Sequence, residues 1–174
     1  KDNSDSRSEF PDFFLNAAPY DTYWDFSYDG IRQSFEGSLD RMGLDKINIL
    51  YIHMLPESYD EVLNSAYPAV EKLKEEGLVD AIGIGVDFVE PLVKFLKADT
   101  EFDIFMLAGR YTLLDTSALN ELIPLCLTKG VSLSLAAPYN SGILAAGLND
   151  ELTTDSKYWY ADVPDEVLNC ARSI

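Results

Sequence analysis

The chain contains one histidine, His53, at the end of the short apolar run Ile47-Asn-Ile-Leu-Tyr-Ile-His53. Where a buried strand meets solvent, an imidazole can donate a hydrogen bond to a carbonyl or shuttle a proton near neutral pH. It can equally be satisfied by local backbone. Further along, Pro138-Tyr139-Asn140-Ser141-Gly142 gathers backbone N–H groups, an amide and a hydroxyl into a tight glycine-bearing turn. Converging N–H donors of this kind suit phosphate, although an ordinary turn uses the same residues. Arg110 stands at a strand end in an acidic chain, where it either grips an anion or pairs with an acidic neighbour. Trp24 and Arg110 are the candidates for contact with substrate.

Other chemistries find little support. Gly83-Ile-Gly85 lies inside strand-like text and is not the glycine fingerprint of a dinucleotide fold. There is no GxSxG elbow, no phosphate-binding Walker loop and no second histidine for a hydrolytic triad. Cys126 and Cys170 are far apart and form no CxxC pair, so a zinc site is not expected. They read as buried thiols of a reducing compartment, which places the protein in the cytoplasm. Acidic residues outnumber Lys and Arg by 30 to 13, for a formal charge of -17. Such a surface repels phosphate backbones and anionic lipid, and no stretch approaches the ~20 apolar residues needed to span a bilayer. Neither nucleic acid nor membrane is an expected partner.

The elements that must position these groups alternate regularly. Residues 1–26 read as an irregular leader that turns aromatic at Phe13, Phe14, Tyr20, Tyr23, Trp24 and Phe26, either a lid over a pocket or a segment packed on the outside. Its polar, acidic start resembles neither a signal nor a transit peptide, and the absence of Met at position 1 points to processing, a partial sequence or a fragment. Ile31, Phe35, Leu39 and Met42 recur at helical spacing, with Asp25 or Ser27 as N-cap and Gly43 as C-cap. A strand at Ile47–His53 follows, then a helix from Tyr59 to Glu76 that Pro68 restarts and Gly77 ends. Val79–Val86 is a strand, and Pro91 opens a helix through Phe95 and Leu96. Asp103–Leu107 is a strand, Leu119–Lys129 a helix closed by Gly130, and Val131–Ala137 a strand. A loop through Gly147, Tyr158, Trp159 and Tyr160 leads to a last helix started by Pro164. One helix per gap between strands is the signature of βα units around a parallel sheet. Four strands are too few to close a barrel of eight strands and ~250 residues, so the pattern alone fits half a barrel or a small open α/β sheet.

Several blocks, in order, resemble the aldo-keto reductase family, and in particular its sugar-oxidising branch. They are Asp25-Phe-Ser-Tyr-Asp-Gly-Ile31, Ser38-Leu-Asp-Arg-Met-Gly-Leu44 with the run to His53, Glu75 to Val86, Phe105 to Leu114, and Ala137-Pro-Tyr-Asn-Ser-Gly-Ile-Leu144. The resemblance implies a partial (β/α)8 TIM-type barrel over residues 27–174, holding family strands four to seven, with NAD or NADP bound at the C-terminal strand ends. It implies that His53 orients substrate, that Pro138, Tyr139, Asn140, Ser141, Gly142 and Leu144 hold the cofactor pyrophosphate, and that Asp87 lies near the carboxamide.

The departures matter equally. The family works with a tyrosine acid/base, a lysine, an aspartate and a histidine, and only the histidine has a match here; the residues around Lys1 do not fit the lysine motif. Met54 follows His53 where an aspartate is common, Ala108 replaces a common glutamine, and Ala136 replaces a common aromatic. The expected function is therefore NAD(P)-dependent oxidation of an aldose at C1 by a longer parent, with this central fragment inactive alone. The alternative is a non-catalytic binding or assembly module built on a truncated barrel, self-associating through its incomplete sheet.

Overall fold

The computed structural model describes residues 23–145, 157–159 and 161–174. Most of the expected leader, the loop around Gly147, and Tyr160 lie outside them. Helix α1 spans Tyr28–Met42. Ser27 caps it by accepting the Gly30 N–H at 3.1 Å, and Asp25 in turn accepts the Ser27 N–H. Gly43 ends it at φ 65°, a left-handed conformation that lacks a Cβ penalty only in glycine.

Strand β1 covers Ile47–His53, β2 Val79–Val86, β3 Ile104–Ala108 and β4 Ser132–Ala136. All three pairings are parallel and the order is sequential, β1-β2-β3-β4. A sequential parallel order with a helical crossover in every gap is the wall of a (β/α) barrel; a doubly wound sheet would reverse its order. The crossovers carry α2 (Tyr59–Glu61) with α3 (Tyr67–Glu75), α4 (Val89–Lys97) and α5 (Leu122–Lys129).

Proline bears on three helix starts: Pro68 restarts a helix at α3 as the sequence suggests, while α4 and α5 start at other residues than expected. Between α2 and α3 the helix widens into a π turn over Val62–Ala66, with the Tyr67 N–H reaching back to the Val62 carbonyl. Pro68 has no N–H for the Asn64 carbonyl and its ring would collide with it, so the wider turn relieves both problems. Helix α4 starts at Val89 and carries Pro91 in its first turn, where an amide would have no partner anyway. Helix α5 starts at Leu122 because Pro124 needs the same place, and a separate 3₁₀ turn at Ser117–Leu119 takes up the chain before it.

Alternation along the strands divides the sheet into two faces. Ile82, Ile84 and Val86 of β2 with Phe105 and Leu107 of β3 are buried against Leu73, Leu92, Phe95, Leu96 and Leu122 of the helices in one continuous core. Each fully buried Leu, Ile or Phe contributes about 1.5–3 kcal/mol relative to exposure. On the other face β2, β3 and β4 carry Gly83, Gly85, Ile104, Met106, Ala108, Ser134 and Ala136, small except for Ile104 and Met106, and β1 adds Tyr51 and His53. A two-residue hairpin, β5 (Lys157–Tyr158) and β6 (Ala161–Asp162), and helix α6 (Asp165–Arg172) complete the described chain. Cys126 on α5 is buried as expected, whereas Cys170 on α6 is exposed. The hairpin was not expected from sequence, which read a plain loop there.

Candidate functional site

The C-terminal strand ends open into a cleft of about 770 Å³. In a strand, residues two apart share a face, so Tyr51 and His53 of β1 both reach the cleft. Their partners in register across β2 are Gly83 and Gly85, which carry no side chain to fill the space beside them. Val86, Asp87, Met106, Ala108, Gly109, the turn from Ala137 to Gly142, Ala145 and Trp159 complete the lining. His53 and the Pro138–Gly142 turn therefore face one opening.

The turn is conformationally costly. Ala137, Asn140 and Ser141 have φ of 48°, 46° and 60°, and Gly142 has 100°. Left-handed non-glycine residues cost free energy and persist only where the surroundings enforce them. Internal hydrogen bonds do so here: Asn140 N–H donates to the Ala137 carbonyl, and both Gly142 and Leu144 N–H donate to the Tyr139 carbonyl. These three amides, expected to converge on an anion, are thus spent within the turn. The Asn140 side chain is 3% exposed, its Nδ2 donating to the Gly109 carbonyl at a long 3.4 Å while its Oδ1 has no partner. A buried acceptor of this kind is uncommon and calls for an explanation.

The remaining candidates fall around the cleft. Leu144 packs into a small cluster with Ile143, Val163 and Leu168, so its side chain supports the turn from behind. Trp24 meets the His53 ring edge-on at 5.6 Å and stacks on Phe26 at 6.0 Å. It lines a separate hollow of about 520 Å³ next to α1, with His53 on the border of both spaces. Arg110, expected against substrate, lies outside the cleft: Nε donates to the Asp87 carbonyl at 2.8 Å and Nη1 pairs with Asp115 at 3.2 Å. Burial opposes ionisation of Asp115, but hydrogen bonds from Ser117 and Arg110 together hold its carboxyl below the usual range. Sequence reading missed Trp159 and Tyr51. Tyr51 was within reach, since its parity with His53 puts both on one face; Trp159 sits at φ 51° in a hairpin tip with no turn signature. Among the described residues no cluster of His, Cys, Asp or Glu could hold a metal ion, and no helix is long and apolar enough to cross a membrane.

The sequence model of the Aldo/keto reductase family matches residues 18–169. The chain belongs to the aldo/keto reductase family. Within the family it is 42% identical over 146 residues to D-threo-aldose 1-dehydrogenase of a Pseudomonas species, covering 83% of this chain and 43% of that one. It is 32% identical over 129 residues to L-galactose dehydrogenase of Arabidopsis thaliana, covering 72% and 40% respectively. Among solved structures, the holo form of an aldo-keto reductase from Bacillus halodurans superposes with a TM-score of 0.67 at 26% identity, covering 87% of this chain and 49% of that one. The chain thus spans about half the length of these aldo-keto reductases, and its four strands are a section of a family barrel.

Proposed function

We propose that the whole protein is an NAD- or NADP-dependent oxidoreductase that converts an aldose to its lactone by oxidation at C1. One observation carries this reading: His53 and the Pro138–Gly142 turn share one cleft at the C-terminal strand ends of an aldo-keto reductase sheet. The resemblance to sugar dehydrogenases at 42% and 32% identity supports the substrate class. In this reading residues 27–174 supply family strands four to seven.

The residues present fit a dinucleotide. Gly85, Ala108 and Gly109 line the cleft with little or no side chain beside Met106, and the buried Asn140 Oδ1 is an acceptor still seeking a donor such as a carboxamide or hydroxyl. Asp87, Tyr139, Asn140, Ser141 and Gly142 would hold the cofactor, with Leu144 and Pro138 fixing the turn. When bound, the nicotinamide supplies a hydride acceptor. His53 orients the sugar by hydrogen bonding to an oxygen at or beside C1, and Trp24 holds the imidazole edge-on.

Of the four catalytic groups the resemblance implies, His53 alone has a counterpart in these 174 residues. Loss of one proton-transfer group typically costs ~10²–10⁴ in rate, so the isolated chain is expected to turn over negligibly. The test is reduction of NAD or NADP by L-galactose, L-fucose or D-arabinose. The full-length protein should show it and the 174-residue product should not. No turnover of any aldose by the full-length protein removes the substrate assignment.

A second reading has its own observation. The outer strands β1 and β4 of the described sheet expose Ile49 and Leu135 at 44% and 43%. The 174-residue chain would then act by assembly, pairing through these strands. Light scattering separates the cases: a mass that grows with concentration supports assembly, and a monodisperse monomer at micromolar concentration opposes it.

A further inference from the structure

We infer that Trp159 is the aromatic wall against which a planar ligand ring packs in the cleft, and that Arg110 is the positioning residue that holds it there. The inference rests on the proposed dinucleotide reading for the identity of the ring, taken as the nicotinamide. The placement of Trp159 itself rests on geometry alone.

Trp159 lies at the tip of the β5–β6 hairpin with φ 51° and lines the same cleft as His53. An indole on a left-handed backbone needs enforcement from outside its own hairpin, which is only two residues long on each side. Two neighbours give it. The ring rests on Gly109, where an added Cβ would come within 3.0 Å of its Cη2 and Cζ2 atoms. The Arg110 guanidinium lies over the ring, its Cζ 4.5 Å from the centroid. That distance is well inside the range for cation–π attraction, and guanidinium planes stack on indole especially well.

Arg110 is itself tied to three other places. It donates to the Asp87 carbonyl beyond β2, pairs with Asp115, and stands 5.7 Å from the Phe88 ring. Asp115 is fixed in turn by the Ser117 N–H at 2.9 Å. One guanidinium thus connects the end of β2, the end of β3 and the hairpin. It holds Asp87 and Trp159, both of which line the cleft, without entering the cleft itself. This accounts for a cation at a strand end that lies outside the cleft.

The positioning arm uses the 174-residue chain grown with 5-fluorotryptophan. Its two tryptophans give two ¹⁹F resonances, assigned with Trp24→Phe. Arg110→Met should shift or broaden the Trp159 resonance and leave that of Trp24 in place, and Arg110→Lys should restore it in part. A Trp159 resonance unmoved by Arg110→Met overturns the positioning role. The ligand arm titrates the full-length protein with NAD, NADP or L-galactose separately. Trp159→Leu, and Arg110→Met where it folds, should raise the dinucleotide Kd by about tenfold, the scale of one lost aromatic or cation–π contact. Unchanged dinucleotide affinity in Trp159→Leu overturns the wall. A Trp159 response to L-galactose alone, with none to either dinucleotide, overturns the assignment to nicotinamide. Failure of the unsubstituted full-length protein to bind either dinucleotide instead removes the proposed function, and leaves the fluorine result to stand by itself.

Discussion

His53 is paired in register with Gly85 across the β1–β2 ladder, so β2 offers no side chain beside the imidazole. The vacancy is not needed by the backbone. A Cβ at Gly85 would meet only the Met106 Cβ, at an ordinary 3.9 Å. Gly85→Ala should therefore keep its melting temperature within a few degrees, since the reduced freedom of the unfolded chain offsets small losses. Gly85→Leu should occupy the cleft and lower turnover of the full-length protein at least tenfold, with a much smaller change in unfolding midpoint. Equal activity in Gly85→Leu would mean that the space beside His53 is not where substrate or cofactor sits.

Gly83, one register step back, should behave in the opposite way. A Cβ there would lie 2.0 Å from the Ile104 carbonyl oxygen and 3.0 Å from the Tyr51 ring. Backbone cannot yield as a side chain end can, so β2 and β3 would have to separate. Gly83→Ala is expected to cost about 2–4 kcal/mol, in the range of severe overpacking. Urea unfolding of the 174-residue chain measures it; a midpoint equal to that of Gly85→Ala would refute the close approach.

The contrast between these glycines shows where sequence reading stops. Both sit in Ala-Ile-Gly-Ile-Gly-Val, and the β-branched neighbours made the strand plain, with the bounds Val79 and Val86 read directly. Nothing in the letters distinguishes the glycine needed for strand contact from the one that leaves a space, because the difference lies in a carbonyl on β3. The architecture was legible for a related reason: strands and helices here are bounded by Gly43, Gly77 and Gly130, each left-handed as a C-cap requires. Prolines blurred the helix starts, since a proline tolerated in a first turn reads the same as one that opens it. The site was legible in part. His53 and the 138–142 turn share the cleft, but the fate of the turn's amides was hidden, because such short-range hydrogen bonds depend on the left-handed run at Asn140 and Ser141. Arg110 and Trp159 meet only through a 49-residue fold closure that no local pattern announces.

Asn140 provides a test with a defined pH sign. Its Nδ2 donates to the Gly109 carbonyl, and Asn140→Asp would replace that donor by a buried carboxylate oxygen facing another oxygen. Without compensation, this should destabilise the fold by about 2–4 kcal/mol near neutral pH. Desolvation would raise the new carboxyl's pKa in the folded state above its unfolded value of about 3.9. The folded state then binds more protons than the unfolded one between the two values, so the deficit appears above the folded pKa and shrinks as pH falls through it. Denaturation midpoints of Asn140→Asp and the parent should converge between about pH 7 and pH 4. A gap independent of pH would place the Asn140 side chain in contact with water.

Tyr67 should mark the alkaline limit of the fold. Its hydroxyl donates to Glu71 and accepts the Glu101 N–H at 2.8 Å, linking α3 to the segment before β3, while its ring meets Phe102 edge-on at 4.7 Å. Burial first, and then the bond to Glu71, push the phenol up to about 12 from an ordinary 10.0. Between those values the folded state keeps a proton that the unfolded state has lost, so stability from this group is complete below the unfolded pKa and declines as pH rises towards the folded one. Absorbance titration should show a late-ionising tyrosine component that is reduced in Tyr67→Phe, with Tyr59, also pushed up by burial, contributing the remainder. The stability difference between parent and Tyr67→Phe should also narrow as pH rises above 10. Other alkaline groups, the lysines among them, are common to both proteins and cancel in that difference. Parallel stability curves across this range would show that the Tyr67 hydroxyl is not buried against Glu71 in the folded chain.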